Sequence, residues 1–196
     1  PLDGVMDRGY RRMMTTLHGL MHEADAIVHY YGSKFDIPTI NKEFAKLGLA
    51  PPAPYQQIDL KHTVAKQFRF ESNKLDYVAD RLGLGRKLST EFGLWVRCMQ
   101  NEAAAWKRMA AYNKRDVTLL EKLYTRLLPW VKSTVNHAVD RREACCPRCA
   151  SRHVQQRGYL KNRAGKYARF QCQQCGFWFK TSKPVEATRH PIAVPI

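Results

Sequence analysis

Apolar residues recur at three- and four-residue spacing over several stretches of this chain, and in a few short ones they run together. Tyr10, Met13, Met14, Leu17, Leu20 and Met21 line one side of a helix predicted over residues 8–23. Ala26 to Tyr30 is a compact apolar run of strand type that breaks at Gly32. Pro38 fits the first turn of a following helix, where its missing N–H costs nothing. Ile37, Ile40, Phe44 and Leu47 form that helix's buried side, and Gly48 stops it. Ala50-Pro51-Pro52-Ala53-Pro54 is a stiff loop. Gln57 to Leu60 reads as a short strand and 61–68 as a short helix. Ser72 or Asn73 can cap a further helix that runs through Leu82 and closes at Gly83 and Gly85. Residues 86–101 are ambiguous, with a helix expected around Leu94 to Met99, and a long helix then runs from about Glu102 to Leu128, stopped by Pro129. Strands alternating with helices predict an α/β layered sheet. Beyond a polar linker at 133–143 the pattern changes to short β-type segments, separated by Gly and by cysteine pairs.

Composition sharpens this division. The 196 residues carry a net charge of +16, unevenly placed. Residues 1–140 hold 21 Lys and Arg against 15 Asp and Glu, whereas residues 141–183 hold 11 against 1. So basic a module points to a polyanion partner, most simply DNA or RNA; a solubilising surface is the plainer alternative. No apolar run approaches the roughly 18 to 20 residues of a membrane span. No basic-then-apolar leader is visible at Pro1-Leu2-Asp3-Gly4, so a cytoplasmic location is expected.

One carboxylate is out of place. The long helix's core-facing stripe runs Met109, Tyr112, Asp116, Leu120, Leu123, Leu127. A buried acid is costly unless it is paired or holds a cation. Tyr112 lies one turn earlier and points the same way. A carboxylate satisfied by N–H groups or an arginine at the edge of the stripe is the purely structural alternative. A second acid, Asp36, sits between the first strand and the helix opened by Pro38, a common place for a functional group. His18, His22, His29 and His62 read as surface or packing residues, and Cys98 as a small apolar one.

Three segments carry a resemblance. Tyr30-Tyr31-Gly32-Ser33-Lys34-Phe35-Asp36-Ile37-Pro38 resembles the second motif of the ribonuclease H-like DEDD 3′–5′ exonucleases, with Tyr31 where Asn is usual. Tyr112-Asn113-Lys114-Arg115-Asp116 resembles the third motif in its tyrosine form, Tyr-x-x-x-Asp. Asn73 to Ala79, followed by Leu82-Gly83-Leu84-Gly85, looks like the segment between them. Order and spacing agree over about residues 20–130. The resemblance implies phosphodiester hydrolysis with two divalent ions, Mg2+ or Mn2+. In that scheme Asp116 is a direct ion ligand, Asp36 holds the second ion directly or through water, and Tyr112 orients the attacking water. The family's first motif, Asp-x-Glu, does not occur before Asp36. Asp3 and Asp7 are four apart, and Glu23 and Asp25 are in the wrong order. Either this chain is a fragment lacking the first strands, as the Pro1 start suggests, or it is a degenerate relative that binds without cutting.

Cys146-Pro147-Arg148-Cys149 and Cys172-Gln173-Gln174-Cys175-Gly176 are two C-x-x-C knuckles with 22 residues between them. Thiolates at this spacing fit adjacent corners of a tetrahedral Zn2+, and four ligands make a closed, structural site. The gap exceeds the roughly 15–20 residues commonly seen, which predicts a longer hairpin. Cys145 is a spare or an alternative to Cys146. The segment resembles zinc ribbons of transposase and transcription-factor type. Arg157, Tyr159, Lys161, Arg163, Lys166, Arg169 and Trp178 mix cations with aromatics, which suits phosphate contacts and base stacking. Some aromatics must also make the small module's core, with Tyr159, Phe170 and Phe177 as candidates.

The resulting expectation is an α/β protein with these parts: residues 1–132 as the C-terminal part of a ribonuclease H-like exonuclease domain, 133–143 as linker, 144–182 as a basic zinc ribbon, and 183–196 as a loosely draped tail. Nuclease-plus-ribbon proteins of this kind look like those predicted in bacteriophage genomes, which would make the location a host cytoplasm. The alternative is a non-catalytic nucleic-acid-binding or regulatory protein on a degenerate nuclease scaffold.

Overall fold

The computed structural model describes residues 9–88, 91–132, 134–139, 141 and 144–187. Asp3, Asp7, parts of the expected linker and residues 188–196 of the expected tail lie outside these. The chain divides into two compact units, Pro1–Leu127 with Val131–Ser133, and Leu128–Trp130 with Thr134–Ile196. No helix among the described residues is long and apolar enough to cross a membrane.

The first unit is built on two parallel strands, β1 (Ala26–His29) and β2 (Gln56–Asp59), paired from Ala26↔Gln56 to His29↔Asp59. Parallel neighbours need a crossover, and α2 (Asp36–Lys46) supplies it. Alternate strand residues point to opposite faces, so the sheet is packed on both sides. Ile27 joins Met14 and Met21 of α1 (Tyr10–Glu23) and Ile37 and Phe44 of α2. Val28 and Ile58 face the other way. They meet Leu60 and Val64 of α3 (Leu60–Gln67), Val78 of α4 (Leu75–Arg81), and Leu123 and Leu127 of α6 (Ala103–Leu127). This is the layered α/β arrangement that the hydrophobic pattern predicts. A third cluster joins Leu94 and Cys98 of α5 (Phe92–Met99) to Ala105 and Met109 of α6, with Tyr112 packed against it.

The helix starts depart from expectation where side-chain chemistry overrides simple cap rules. Neither Ser72 nor Asn73 caps α4 by its side chain; Lys74 is the extended residue before it, and Ser72 Oγ accepts from the Lys74 N–H at 3.3 Å. The Asn73 carbonyl instead accepts the Tyr30 hydroxyl at 2.8 Å. Pro129 ends α6 as expected, and Leu128–Trp130 tighten into a 3₁₀ turn. Leu123 is fully buried between the sheet and α3. Leu123→Ala is expected to lower unfolding free energy by about 3 kcal/mol, read as a reduced urea midpoint at unchanged slope.

The second unit is an antiparallel sheet of β3 (Val154–Asn162), β4 (Gly165–Cys172), β5 (Trp178–Lys180) and β6 (Glu186–Ala187). β4 is central, pairing with all three others. The long inter-knuckle gap is therefore the β3–β4 hairpin. A bulge lies between Gln156 and Tyr159. The region expected to be a draped tail enters the sheet: Glu186 pairs with Lys166 and Ala187 with Gly165.

Candidate active site and cysteine metal centre

The turn after β1 is held from several directions. His29 is buried, and its Nδ1 accepts the Gly32 N–H at 3.1 Å. Its Nε2 lies 3.3 Å from Gln57 Oε1, and Asp59 Oδ2 is 3.7 Å from its Nδ1. A Cβ on Gly32 would come within 2.8 Å of His29 Cγ, so only glycine fits this close turn. Tyr31 adopts φ 69°. A tyrosine adopts that left-handed region only at some cost, and the turn's hydrogen bonds hold it there.

Asp59, at the end of β2, is the residue that sequence reasoning missed here. Its Oδ1 accepts the Tyr31 N–H at 2.9 Å and the Lys61 N–H at 3.0 Å; its Oδ2 accepts Ser33 Oγ at 3.0 Å. One carboxylate thus caps α3 and pins the turn that leads into α2. An aspartate between a strand and a helix is a readable N-cap signal. Asp36 is the first residue of α2. It is exposed, and its carboxylate has no hydrogen-bond or ion-pair partner among the described residues.

Asp116 lies in mid-α6 with its side chain 24% exposed. Lys87 Nζ sits 2.8 Å from its Oδ2. Its Oδ1 is buried and, among the described residues, without a hydrogen-bond partner. The same ammonium lies 5.3 Å from the centre of the Tyr112 ring. Burial works against the Lys87 charge, but Asp116 and Tyr112 more than offset it, and its pKa lies above the ordinary lysine value. Lys87 therefore stays cationic at neutral pH.

Lys87 is placed by its backbone. Its N–H donates to Asp76 Oδ1 at 2.7 Å, and Arg86 pairs with Asp76 Oδ2 at 3.2 Å. Arg115 Nε donates to the Arg86 carbonyl at 3.2 Å. Gly85 lets the guanidinium of Arg115 approach, since a Cβ there would lie 2.6 Å from it. Lys87 falls in the ambiguous stretch 86–101, where no periodicity marked it. The predicted residues Tyr112 and Asp116 both lie by the Lys87 ammonium; no hydrogen bond or ion pair joins either to Asp36 among the described residues.

In the second unit the four knuckle cysteines converge. The Sγ atoms of Cys146 and Cys175 are 3.7 Å apart, those of Cys149 and Cys172 3.6 Å, and all four lie within 4.8 Å of one another. A tetrahedral ion with bonds of about 2.3 Å spaces its sulfurs by about 3.8 Å. The cluster therefore fits a metal such as zinc. Burial pushes the Cys149 and Cys175 thiols up. Burial also opposes ionisation of Cys172, yet the N–H groups of Cys175 and Gln174 bring it down to about 7. Cys145 is buried but outside the cluster. Arg148, inside the first knuckle, is buried with its guanidinium 3.6 Å from the Phe177 ring, and it donates to the Leu128 carbonyl.

The predicted basic and aromatic residues divide between the two faces of the ribbon. Directly opposed residues share a face. Tyr159, Lys161 and Lys166 fall on one side with Phe170 and Phe179, whose rings stack at 5.5 Å. Arg169 and Trp178 fall on the other, with Tyr167 and Lys180. Arg163 is at the hairpin tip and Arg157 in the bulge. Tyr159 is half exposed and does not belong to the core; Phe179, together with Phe170 and Phe177, takes that place because β5 delivers it opposite Phe170.

No curated protein matches this chain. A family model described as the RNase H superfamily matches residues 6–128, which span the sheet, the Asp36 turn and the Tyr112–Asp116 pair. An α/β layer carrying acids at a strand end and on a helix, matched over well more than half its length, makes this chain a member of the RNase H superfamily.

Proposed function

We propose that the chain is a metal-dependent nuclease that hydrolyses DNA or RNA, acting as a 3′–5′ exonuclease of the tyrosine-type DEDD kind. Its basic zinc ribbon would hold the nucleic acid. The observation that carries this reading is the orphaned, buried Oδ1 of Asp116 beside Tyr112. A carboxylate oxygen hidden from water and left without a donor suits a cation ligand. Divalent ions bound there supply charge stabilisation to the attacking hydroxide and the leaving oxygen. Lys87 pairs with Oδ2 and leaves Oδ1 for the ion. Tyr112 orients water toward the scissile phosphate from one turn away. Asp36, unpaired at the mouth of α2, is available for a second ion. In the ribbon, Cys146, Cys149, Cys172 and Cys175 hold a structural Zn2+, while Arg157, Tyr159, Lys161, Arg163, Lys166, Arg169 and Trp178 contact the strand. The setting would be cytoplasmic, a phage-infected cell being one source of such proteins.

The test uses oligonucleotides labelled at the 5′ or the 3′ end, as DNA and as RNA, with Mn2+ or Mg2+ and with a chelator. Stepwise shortening from the 3′ end that depends on the ion is expected; metal-independent or internal cleavage contradicts the proposal. A second reading is favoured by one observation, the Lys87 ammonium that already occupies Asp116 Oδ2 at 2.8 Å: a scaffold that binds nucleic acid without cutting it. Binding with no cleavage under any divalent ion selects that reading.

The ribbon's share is tested separately. Arg163→Glu with Lys166→Glu is expected to weaken nucleic-acid binding at least tenfold at physiological salt and to reduce the salt slope by about two. An unchanged affinity contradicts the assignment.

A further inference from the structure

The face of the ribbon sheet turned away from Phe170 and Phe179 has an organisation of its own. Along it, Trp178 opposes Gln171, Lys180 opposes Arg169, and Tyr167 opposes Leu160. The cations lie diagonally over the rings. Arg169 Cζ is 5.0 Å from the Trp178 ring, and Lys180 Nζ is 3.8 Å from the Tyr167 ring. Arg169 is also fixed from the far side, where its Nε donates to the Arg157 carbonyl at 3.2 Å. The two rings are used differently. Tyr167 is buried beneath Lys180 and serves to position that ammonium, whereas Trp178 remains 45% exposed. No acidic side chain stands on this face in the paired strands. The opposite face differs, for there Glu186 already takes up Lys166 at 2.9 Å.

An exposed indole with two held cations beside it is matched by a ligand that offers both a free π-face and regularly spaced negative charge. Single-stranded nucleic acid offers both. A duplex offers the charge but keeps its base faces stacked internally. We propose that this face is a single-strand site, with one base stacked on Trp178 and adjoining phosphates on Arg169 and Lys180. The inference rests on the reading of the ribbon as a nucleic-acid-binding module and adds to it a base-stacking subsite on this face that takes single strands, beside the phosphate contacts made elsewhere on the ribbon.

The experiment compares the full, zinc-loaded chain with its Trp178→Ala and Trp178→Phe variants. Binding of a fluorescently labelled oligothymidine and of a duplex of equal length is measured by anisotropy, without divalent ions so that no strand is cut. Trp178→Ala is expected to lower single-strand affinity about tenfold and to leave duplex affinity unchanged, with Trp178→Phe recovering most of the loss. Quenching of intrinsic tryptophan emission by the oligothymidine should largely disappear in both variants. Because Trp178 is exposed, zinc content and circular dichroism should match the parent. Unchanged single-strand affinity in Trp178→Ala overturns the proposal, and so does an equal loss for single strand and duplex. If Arg163→Glu with Lys166→Glu abolishes binding while Trp178→Ala does nothing, this face is wrong and the ribbon reading survives. If the parent chain binds neither probe, both fall together.

Discussion

Replacing Cys172 with serine is expected to abolish metal binding by the four-cysteine cluster and to unfold the C-terminal ribbon. The reason is the small size of what the ribbon can bury. Apart from the cysteines, the fully packed apolar side chains of that unit are few: Leu128, Tyr167 and Ala168 are its buried hydrophobic residues among those described. Ordering a residue costs roughly 1 to 2 kcal/mol of conformational entropy, so a core of this size cannot hold a four-stranded sheet. A structural zinc contributes on the order of 10 kcal/mol when it closes such a site. Cys172 is the last residue of β4, the central strand, and its N–H donates to the Phe177 carbonyl at 2.9 Å, which ties the thiol to the second knuckle's turn. The parent is expected to hold about one zinc per chain, and Cys172→Ser essentially none. Hydrogen exchange should speed up through β3, β4 and β5 while α6 and β2 keep their protection. Cys145→Ala is the control. Its sulfur lies outside the cluster, so the zinc should stay. Full zinc retention in Cys172→Ser would show that the four thiols do not form the metal centre.

How much of this was legible beforehand depends on the range of the interactions involved. Both strands of the first sheet were legible as short runs, and the α6 stripe in part from its local period, with Met109, Leu123 and Leu127 buried as read but Leu119 rather than Leu120 between them. Tyr112 and Asp116 were readable for the same reason, since an i, i+4 pair needs no tertiary information. Lys87 was not. It meets Asp116 across 29 positions of sequence, on a loop whose shape depends on Asp76 and Arg115. The role of Asp59 was half legible: its place before a helix announces a cap, but its hold on Tyr31 and Ser33 follows only from the parallel pairing of β1 and β2. In the ribbon, the knuckle spacing announced the metal site. Which basic and aromatic residues share a face could not be read, because the bulge after Gln156 shifts the register of β3 against β4. β6 was missed because a two-residue strand flanked by proline and polar residues carries no periodic signal.

Asp116→Asn is expected to abolish divalent-ion binding at the α6 site and to lower nuclease turnover at least a hundredfold, since even outer-shell partners of a metal cost 10- to 100-fold. The exchange keeps the shape of the side chain and removes its charge. Two accounts of Asp116 predict different things. If it exists to pair with Lys87, the partly buried ion pair, 30% and 24% exposed at its two side chains, contributes about 1 kcal/mol, and losing it changes only stability. If it is an ion ligand, Mn2+ should stabilise the parent chain by mass action, about 2.7 kcal/mol at a hundred times its dissociation constant, and should not stabilise the variant. Thermal unfolding of the zinc-loaded protein with and without Mn2+ reads this directly and needs no cleavage assay. Lys87→Met separates the two accounts further. On the ion-pair account it mimics Asp116→Asn. On the ligand account it leaves Asp116 charged and its Oδ1 in place, so the Mn2+ stabilisation persists. The Oδ1, buried and without a partner among the described residues, is what motivates the ligand account. An equal Mn2+ shift in the parent and in Asp116→Asn would remove Asp116 from the metal site.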